Sequence, residues 1–217
     1  MNPDRWLQRT DAVYMAFPIK ELVSDRKFRL FACACARRIW DRLPDPRSRL
    51  AVETAERYAD GEASLEEMAA TYRPAHSAVP HEWRLRHPGQ GHPYFLWAAT
   101  DAAESNGFGA AMSAALDAGW EEHELEFSPA QAEMAVLLRD IVGNPFRPVA
   151  FNHLWRTPDI VALARDIYDR RAFDHMPDLA DALEAIGCDE REVLDHCRGA
   201  GPHARGCWVV DEILGRD

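Results

Sequence analysis

The sequence predicts an all-α protein, an irregular multi-helix bundle of about ten helices. Three observations lead there. Apolar residues recur at three- and four-residue spacing in one segment after another. Cap-and-proline pairs or capping boxes open these segments, and glycine closes several of them. Runs with the alternation and β-branched content of strands are nearly absent.

Asn2 before Pro3 reads as an N-cap followed by proline at the first helical position, opening a short helix through Trp6 and Leu7. A longer helix starts at Ser24 and reaches Leu43, with Phe28, Phe31, Ala32, Cys35, Ile39 and Leu43 along one stripe and Pro44 as its stop. Asp45 and Pro46 repeat the opening signal for a helix bearing Leu50, Ala51, Thr54, Ala55 and Tyr58 and ending near Gly61. Ser64 with Glu67 forms a capping box for a helix carrying Leu65, Met68, Ala69 and Tyr72. Residues 73–92 then break the pattern. Pro74, Pro80 and Pro88 stand among His76, His81, His87 and His92, which predicts a long loop.

Two alanine-rich helices follow, about 94–105 and 108–119, parted by Asn106 and Gly107. Segment 120–127 reads as a loop or one short strand. Pro129 starts a helix with Met134, Leu137, Leu138 and Ile141 that closes at Gly143, and Pro145 and Pro148 force an extended turn after it. Helices opened at Thr157, Pro177 and Asp189 follow, then a tight loop from Gly199 to Gly206 and a last helix from Cys207 to Leu214. The chain fits a single helical domain over 1–217. It also fits a subdivision into an N-terminal unit 1–75, a middle segment 76–127 and a C-terminal unit 128–217, with two helical subdomains.

The net charge is −11, unevenly spread. Residues 1–50 hold eleven Lys/Arg against six Asp/Glu, leaving fourteen against thirty for residues 51–217. Pairing of the basic stretch with later acidic helices explains this without a partner; an anion on the basic stretch is the other reading. The acidic remainder argues against nucleic acid. Met1–Lys20 lacks the apolar run of a signal peptide, and no run is long enough for a membrane span, so a cytoplasmic protein with reduced thiols is expected.

Five strings act together: SDRKFRLFACACARRIW (24–40), AVETAERYADG (51–61), LRDIVGNPFRPV (138–149), ARDIYDRRAF (164–173) and HCRGAGPHARGCWVVD (196–211). They resemble a family of helical proteins expanded in planctomycete bacteria, over about 1–72 and 128–217. That family carries no assigned activity, so the resemblance implies no catalytic residue. Its first string tends to end Cys-Ala-Cys-Cys where this chain has Ala36, which argues against a role needing three thiols there.

Chemistry-bearing residues concentrate at the C-terminus. Cys188, His196, Cys197, His203 and Cys207 fall within twenty residues, the last four around one loop. Zinc takes four N/S ligands in a tetrahedron, and this set contains enough of them, although the spacing matches no standard finger. Buried thiols with hydrogen-bonded histidines are the competing account, and Cys197 continues the apolar face of Val193 and Leu194. An enzyme built here would use His196, His203 and Asp211 with Cys197 and Cys207. Cys33 and Cys35 are not a chelate, since two residues on a helix turn the side chains about 200° apart. Arg26, Arg29 and Arg37 flank Cys33 and would favour its thiolate; packing in a second helix interface is the alternative. The loop histidines are spaced too widely for a helical ligand pair. Arg147, between two prolines, is presented rigidly, either to clamp an anionic group or to tie its loop to an acidic helix. No phosphate loop, nucleophile elbow or metalloprotease motif occurs. The sequence therefore points to a non-enzymatic helical protein-interaction or regulatory module with a protein partner and no required cofactor. A metal-binding protein, with zinc as the ion, or an enzyme using the C-terminal cluster is the alternative.

Overall fold

The computed structural model describes residues 1–43, 45–86, 94–118 and 129–217, without the side chains of 79–86 and 94–95. His87, His92, the side chain of His81 and segment 120–127 lie outside the described residues. The described residues are all-α, in helices and 3₁₀ turns with no strand. No helix among them is long and apolar enough to cross a membrane. The chain divides into two compact units, one made of Gln8–Leu138 and the other of Met1–Leu7 with Arg139–Asp217.

In the Gln8–Leu138 unit, a short α2 (Ala12–Ala16) precedes α3 (Asp25–Arg38), the central helix. Ser24 caps α3, its Oγ accepting from the Lys27 amide at 3.3 Å. Every residue from Phe28 to Ala36 is buried, so α3 is covered on all sides, as expected of a helix with apolar residues on both faces. A 3₁₀ turn over Trp40–Arg42 completes the segment, and Ile39 and Leu43 continue the buried stripe. α4 (Pro46–Ala59) and α7 (Gly107–Ala118) pack against α3. Asp45 caps α4, and the predicted Ser64–Glu67 box forms reciprocally: the Ser64 amide donates to Glu67 Oε2 at 2.6 Å and the Glu67 amide to Ser64 Oγ at 3.1 Å.

The predicted loop over 73–92 is corrected. α5 runs from Leu65 to Arg86, through Pro74 and Pro80. Two interior prolines cost helix stability, but Met68, Ala75 and Ala78 are buried along one edge of α5, and this packing decides the conformation. Local propensity was the weaker term.

The predicted helix at 94–105 is a 3₁₀ turn (Tyr94–Trp97) running into a four-residue α6 (Ala98–Asp101). α7 presents Ala110, Ala111, Ala114, Ala115 and Ala118 to the interior, small side chains that let helices approach closely. Its start is fixed to α3 by Gly107, whose amide donates to Asp25 Oδ1 at 2.6 Å.

The basic residues of α3 are absorbed within this unit. Arg26 meets Asp60 at 3.0 Å, Arg37 grips Glu56 through two bonds of 3.0 and 2.8 Å, and Arg38 pairs with Glu133 on α8 (Pro129–Val142). The Arg37 guanidinium also lies over the Trp40 ring at 3.8 Å.

The other unit contains α1 (Pro3–Gln8) through Leu7, the last turn of α8, and α9 (Pro158–Arg170), α10 (Met176–Ala185), α11 (Arg191–Arg198) and α12 (Trp208–Leu214). Ile160, Ile167, Leu179, Leu183, Val193, Val209 and Ile213 form its core. Thr157 caps α9 as predicted. The cap of α11 is Glu190, one residue later than the predicted Asp189, because the Cys188 amide still bonds back to Leu183 O at 3.0 Å and the new helix starts after that turn. Trp6 is fully buried and its Nε1 donates to Gly143 O at 2.8 Å.

Gly107→Ala tests the α3–α7 junction. Helix propensity alone would make alanine better by roughly 1 kcal/mol. A Cβ at this position would stand 2.4 Å from Asp25 O, so a backbone must move. We expect a loss of about 1–3 kcal/mol in urea unfolding; a stabilised variant would show that α7 is not held this closely.

Candidate metal centre

Four elements of the Met1–Leu7/Arg139–Asp217 unit each deliver one side chain to a common point. Asp140 comes from the last turn of α8, His196 from the last turn of α11, His203 from the 199–206 loop, and Cys207 from the N-cap position of α12. One ligand atom from each lies within 4.8 Å of all the others. The cluster is interior: side-chain exposure is 3% for Asp140, 7% for His203 and 19% for His196, and Cys207 is fully buried.

Asp140 holds the group together. Its Oδ1 accepts from His203 Nδ1 at 2.7 Å and lies 3.2 Å from His196 Nε2, while Oδ2 accepts from the Ala204 amide at 2.9 Å. Burial alone would push this carboxyl up. The hydrogen bonds and positive charge of His196 and His203 outweigh it and hold the group below the ordinary carboxylate range. His196 Nε2 faces Cys207 Sγ as well, at 3.1 Å. The two imidazoles meet edge to face at 4.9 Å, and Trp208 covers His196 at 5.3 Å. Gly143, with φ of 70°, ends α8 against that indole; a Cβ would come within 3.3 Å of it. His203 Nε2 is buried and has no hydrogen-bond partner.

The Cys207 thiol is pushed well above its usual value, first by burial and then by the charge of Asp140 and by Cys197. The Val210 and Val209 amides at the start of α12 oppose this. Cys197 is likewise pushed up to about 12 by burial and Asp140. Without a cation both are neutral thiols.

Of the residues the sequence put forward, His196, His203 and Cys207 are brought together. Cys188 and Cys197 are buried nearby but do not belong to the converging set, whose fourth member is Asp140. Asp211 is buried on α12 outside the set. Arg147 pairs with Glu192 of α11, which is the loop-tying role. Cys33 is buried on α3, its Sγ 3.9 Å from Val52 O, the packing role. Asp140 escaped the sequence reading although one signal existed. An acid in the last turn of a helix, just before its closing glycine, stands at the negative end of the helix dipole and needs a reason to be there.

No known family model, curated protein or solved structure matches the chain.

All five cysteines are free thiols and buried. A thiol reagent should therefore modify them in the native protein only as slowly as it opens, and all five at once in denaturant. Fast labelling of Cys35 or Cys197 under native conditions would contradict the packing described.

Proposed function

We propose that the unit built from Met1–Leu7 and Arg139–Asp217 binds one zinc-class metal ion through Asp140, His196, His203 and Cys207, as a crosslink within a non-enzymatic helical protein. The observation that carries this reading is convergence on one oxygen. His203 Nδ1 and His196 Nε2 both address Asp140 Oδ1, and the same His196 nitrogen addresses Cys207 Sγ. One N–H cannot serve a carboxylate and a thiol equally, whereas a cation among these atoms satisfies all of them.

The donor set suits zinc, which is borderline-soft and takes nitrogen, sulfur and carboxylate oxygen together. Tetrahedral bonds of 2.0–2.3 Å place ligand atoms roughly 3.3–3.8 Å apart; the contacts of 2.7, 3.1 and 3.2 Å are shorter, so the side chains would spread slightly around an ion. Four protein ligands in a buried setting describe a closed structural site, with no position left for substrate. The ion would supply the positive charge that converts the Cys207 thiol to thiolate, with release of its proton. The α12 amides then stabilise that thiolate, and Asp140 keeps the Ala204 amide that anchors the loop.

A cysteine–histidine–aspartate catalytic triad is the competing use of the same residues. It requires the acid on the imidazole nitrogen opposite the one facing the nucleophile. On His196, Asp140 and Cys207 address the same nitrogen; His203 meets Asp140 through Nδ1, but its Nε2 has no hydrogen-bond partner, the buried Cys207 thiol included.

The module reading extends to the Gln8–Leu138 unit, where Tyr14, Phe17 and Leu22 are exposed along one short stretch. Such a group suits a protein partner. A partner captured equally by wild type and by F17S/L22S would count against it.

For the metal, the purified chain should take up one Zn2+ or Co2+, and the Co2+ form should show thiolate-to-metal charge-transfer absorption. Cys207→Ser should abolish that band and His203→Ala the stoichiometric binding. Asp140→Asn should weaken affinity by at least about tenfold. Failure of the folded protein to take up either ion, or a charge-transfer band that survives C207S, would refute the site.

A further inference from the structure

The turn between α6 and α7, in the Gln8–Leu138 unit, holds an asparagine set for a reaction of its own. Of the chain's four asparagines, Asn2 and Asn144 precede prolines, which have no N–H, and Asn152 precedes a histidine. Asn106 precedes Gly107, whose nitrogen no side chain shields. That pairing is the most reactive setting for deamidation, in which the following backbone nitrogen attacks the asparagine side chain. Asn106 is exposed, yet both reacting groups are engaged in hydrogen bonds. We infer that Asn106 is a latent deamidation site: the bond from the Gly107 amide to Asp25 withholds the reaction in the folded chain, and lifting of the α6–α7 turn from α3 permits it.

Asn106 caps α7. Its Oδ1 accepts from the Gly109 amide at 3.0 Å and its carbonyl from the Ala110 amide at 2.9 Å, so the side chain is turned toward Gly109. The Gly107 amide donates to Asp25 Oδ1 at 2.6 Å, a bond strengthened by the carboxylate charge. Gly107 is buried against α3, where a Cβ would stand 2.4 Å from Asp25 O. Arg29 of α3 grips the residues before Asn106, its Nη1 donating to Ala102 O at 3.0 Å and Glu104 O at 2.5 Å. α3 therefore holds the turn on both sides of the asparagine, carbonyls ahead of it and an amide behind it. Attack requires the Gly107 nitrogen to give up its proton to a solvent base and turn to Asn106 Cγ, which its bond to Asp25 opposes.

The reaction needs only water besides the chain. The Gly107 nitrogen bonds to Asn106 Cγ and closes an imide ring. The bond from Cγ to Nδ2 breaks, and that nitrogen leaves as ammonia with its own hydrogens and the proton Gly107 gave up. Water then opens the ring, its hydroxyl going to a carbonyl carbon and its proton to the nitrogen. Cleavage at Cγ leaves an ordinary aspartate, which still caps α7 and adds a favourable charge at its start. Cleavage at the main-chain carbonyl leaves isoaspartate, whose backbone runs through Cβ. That lengthened link displaces the start of α7, so the Gly107 and Gly109 amides cannot both keep their partners.

The test incubates the full chain at mildly alkaline pH, folded and in urea, and maps residue 106 by peptide mass spectrometry. The folded chain should keep asparagine there while the chain in urea converts it to aspartate and isoaspartate. Asp25→Ala should speed conversion in the folded chain at least about tenfold, by letting the turn open more often. Asp25→Asn, whose side-chain oxygen can still accept from the Gly107 amide, should stay near wild type. Hydrogen exchange of the wild type should show the Gly107 amide protected, which decides the matter if Asp25→Ala does not fold. Equal conversion of folded and unfolded wild type, a freely exchanging Gly107 amide, or a rate in folded Asp25→Ala that is unchanged or slower would each overturn the inference. The slower rate would make Asp25 the base that promotes the attack.

Discussion

The candidate site depends on the ionised carboxylate of Asp140, which is almost out of contact with water. An isolated buried carboxylate is costly enough that it would normally take up a proton. Here it remains ionised because donors reach it from chain segments far apart in sequence: an imidazole on α11, an imidazole in the loop and a loop amide. Each donor therefore serves as a tether. The 199–206 loop has no core residue of its own to hold it apart from buried Gly206, and its attachment to the end of α8 runs through His203 and Ala204.

Around that carboxylate the supporting contacts form a chain. Trp6 donates to the carbonyl of Gly143, and Arg139 returns a bond to the carbonyl of Trp6 at 3.2 Å, which fixes the last turn of α8 from outside. Gly143 then lies against Trp208, and Trp208 against His196. The side chains of the candidate site are thus held by packing. In small zinc-dependent domains, by contrast, the ligands assemble only with the metal. The core of α9–α12 is built mostly of apolar residues apart from the candidate ligands.

How much of this was legible in the sequence depends on the range of the forces involved. Helix starts at Pro3, Ser24, Pro46, Ser64 and Thr157 were readable because a cap involves only three or four neighbouring residues. The stripe through Phe28, Cys35 and Leu43 was readable because helical periodicity is also local. The course of α5 through Pro74 and Pro80 was not, since the packing of Ala75 and Ala78 decides it and the local penalty points the other way. For the site, His196, His203 and Cys207 stood out because they are close in sequence. Asp140 lies 63 positions before His203, in a string where an acid after an arginine looks like any solvated helix face. Cys197 was grouped with the ligands by spacing alone, but one helical step turns it from His196 into the core.

The two units thus meet one electrostatic problem with opposite solutions. In each, a carboxyl has been withdrawn from water into a helix junction. Asp140 is surrounded by donors, which hold it below its ordinary range. Asp101 is pushed up to about 8, first by burial and then by the charge of Asp117 and Glu104. The difference lies in what each neighbourhood can donate, since both groups are buried. Imidazoles can give up their place on an oxygen to a metal ion and remain as ligands to it. The same residue type at the ends of two helices is thus shifted in opposite directions, according to what its neighbours donate.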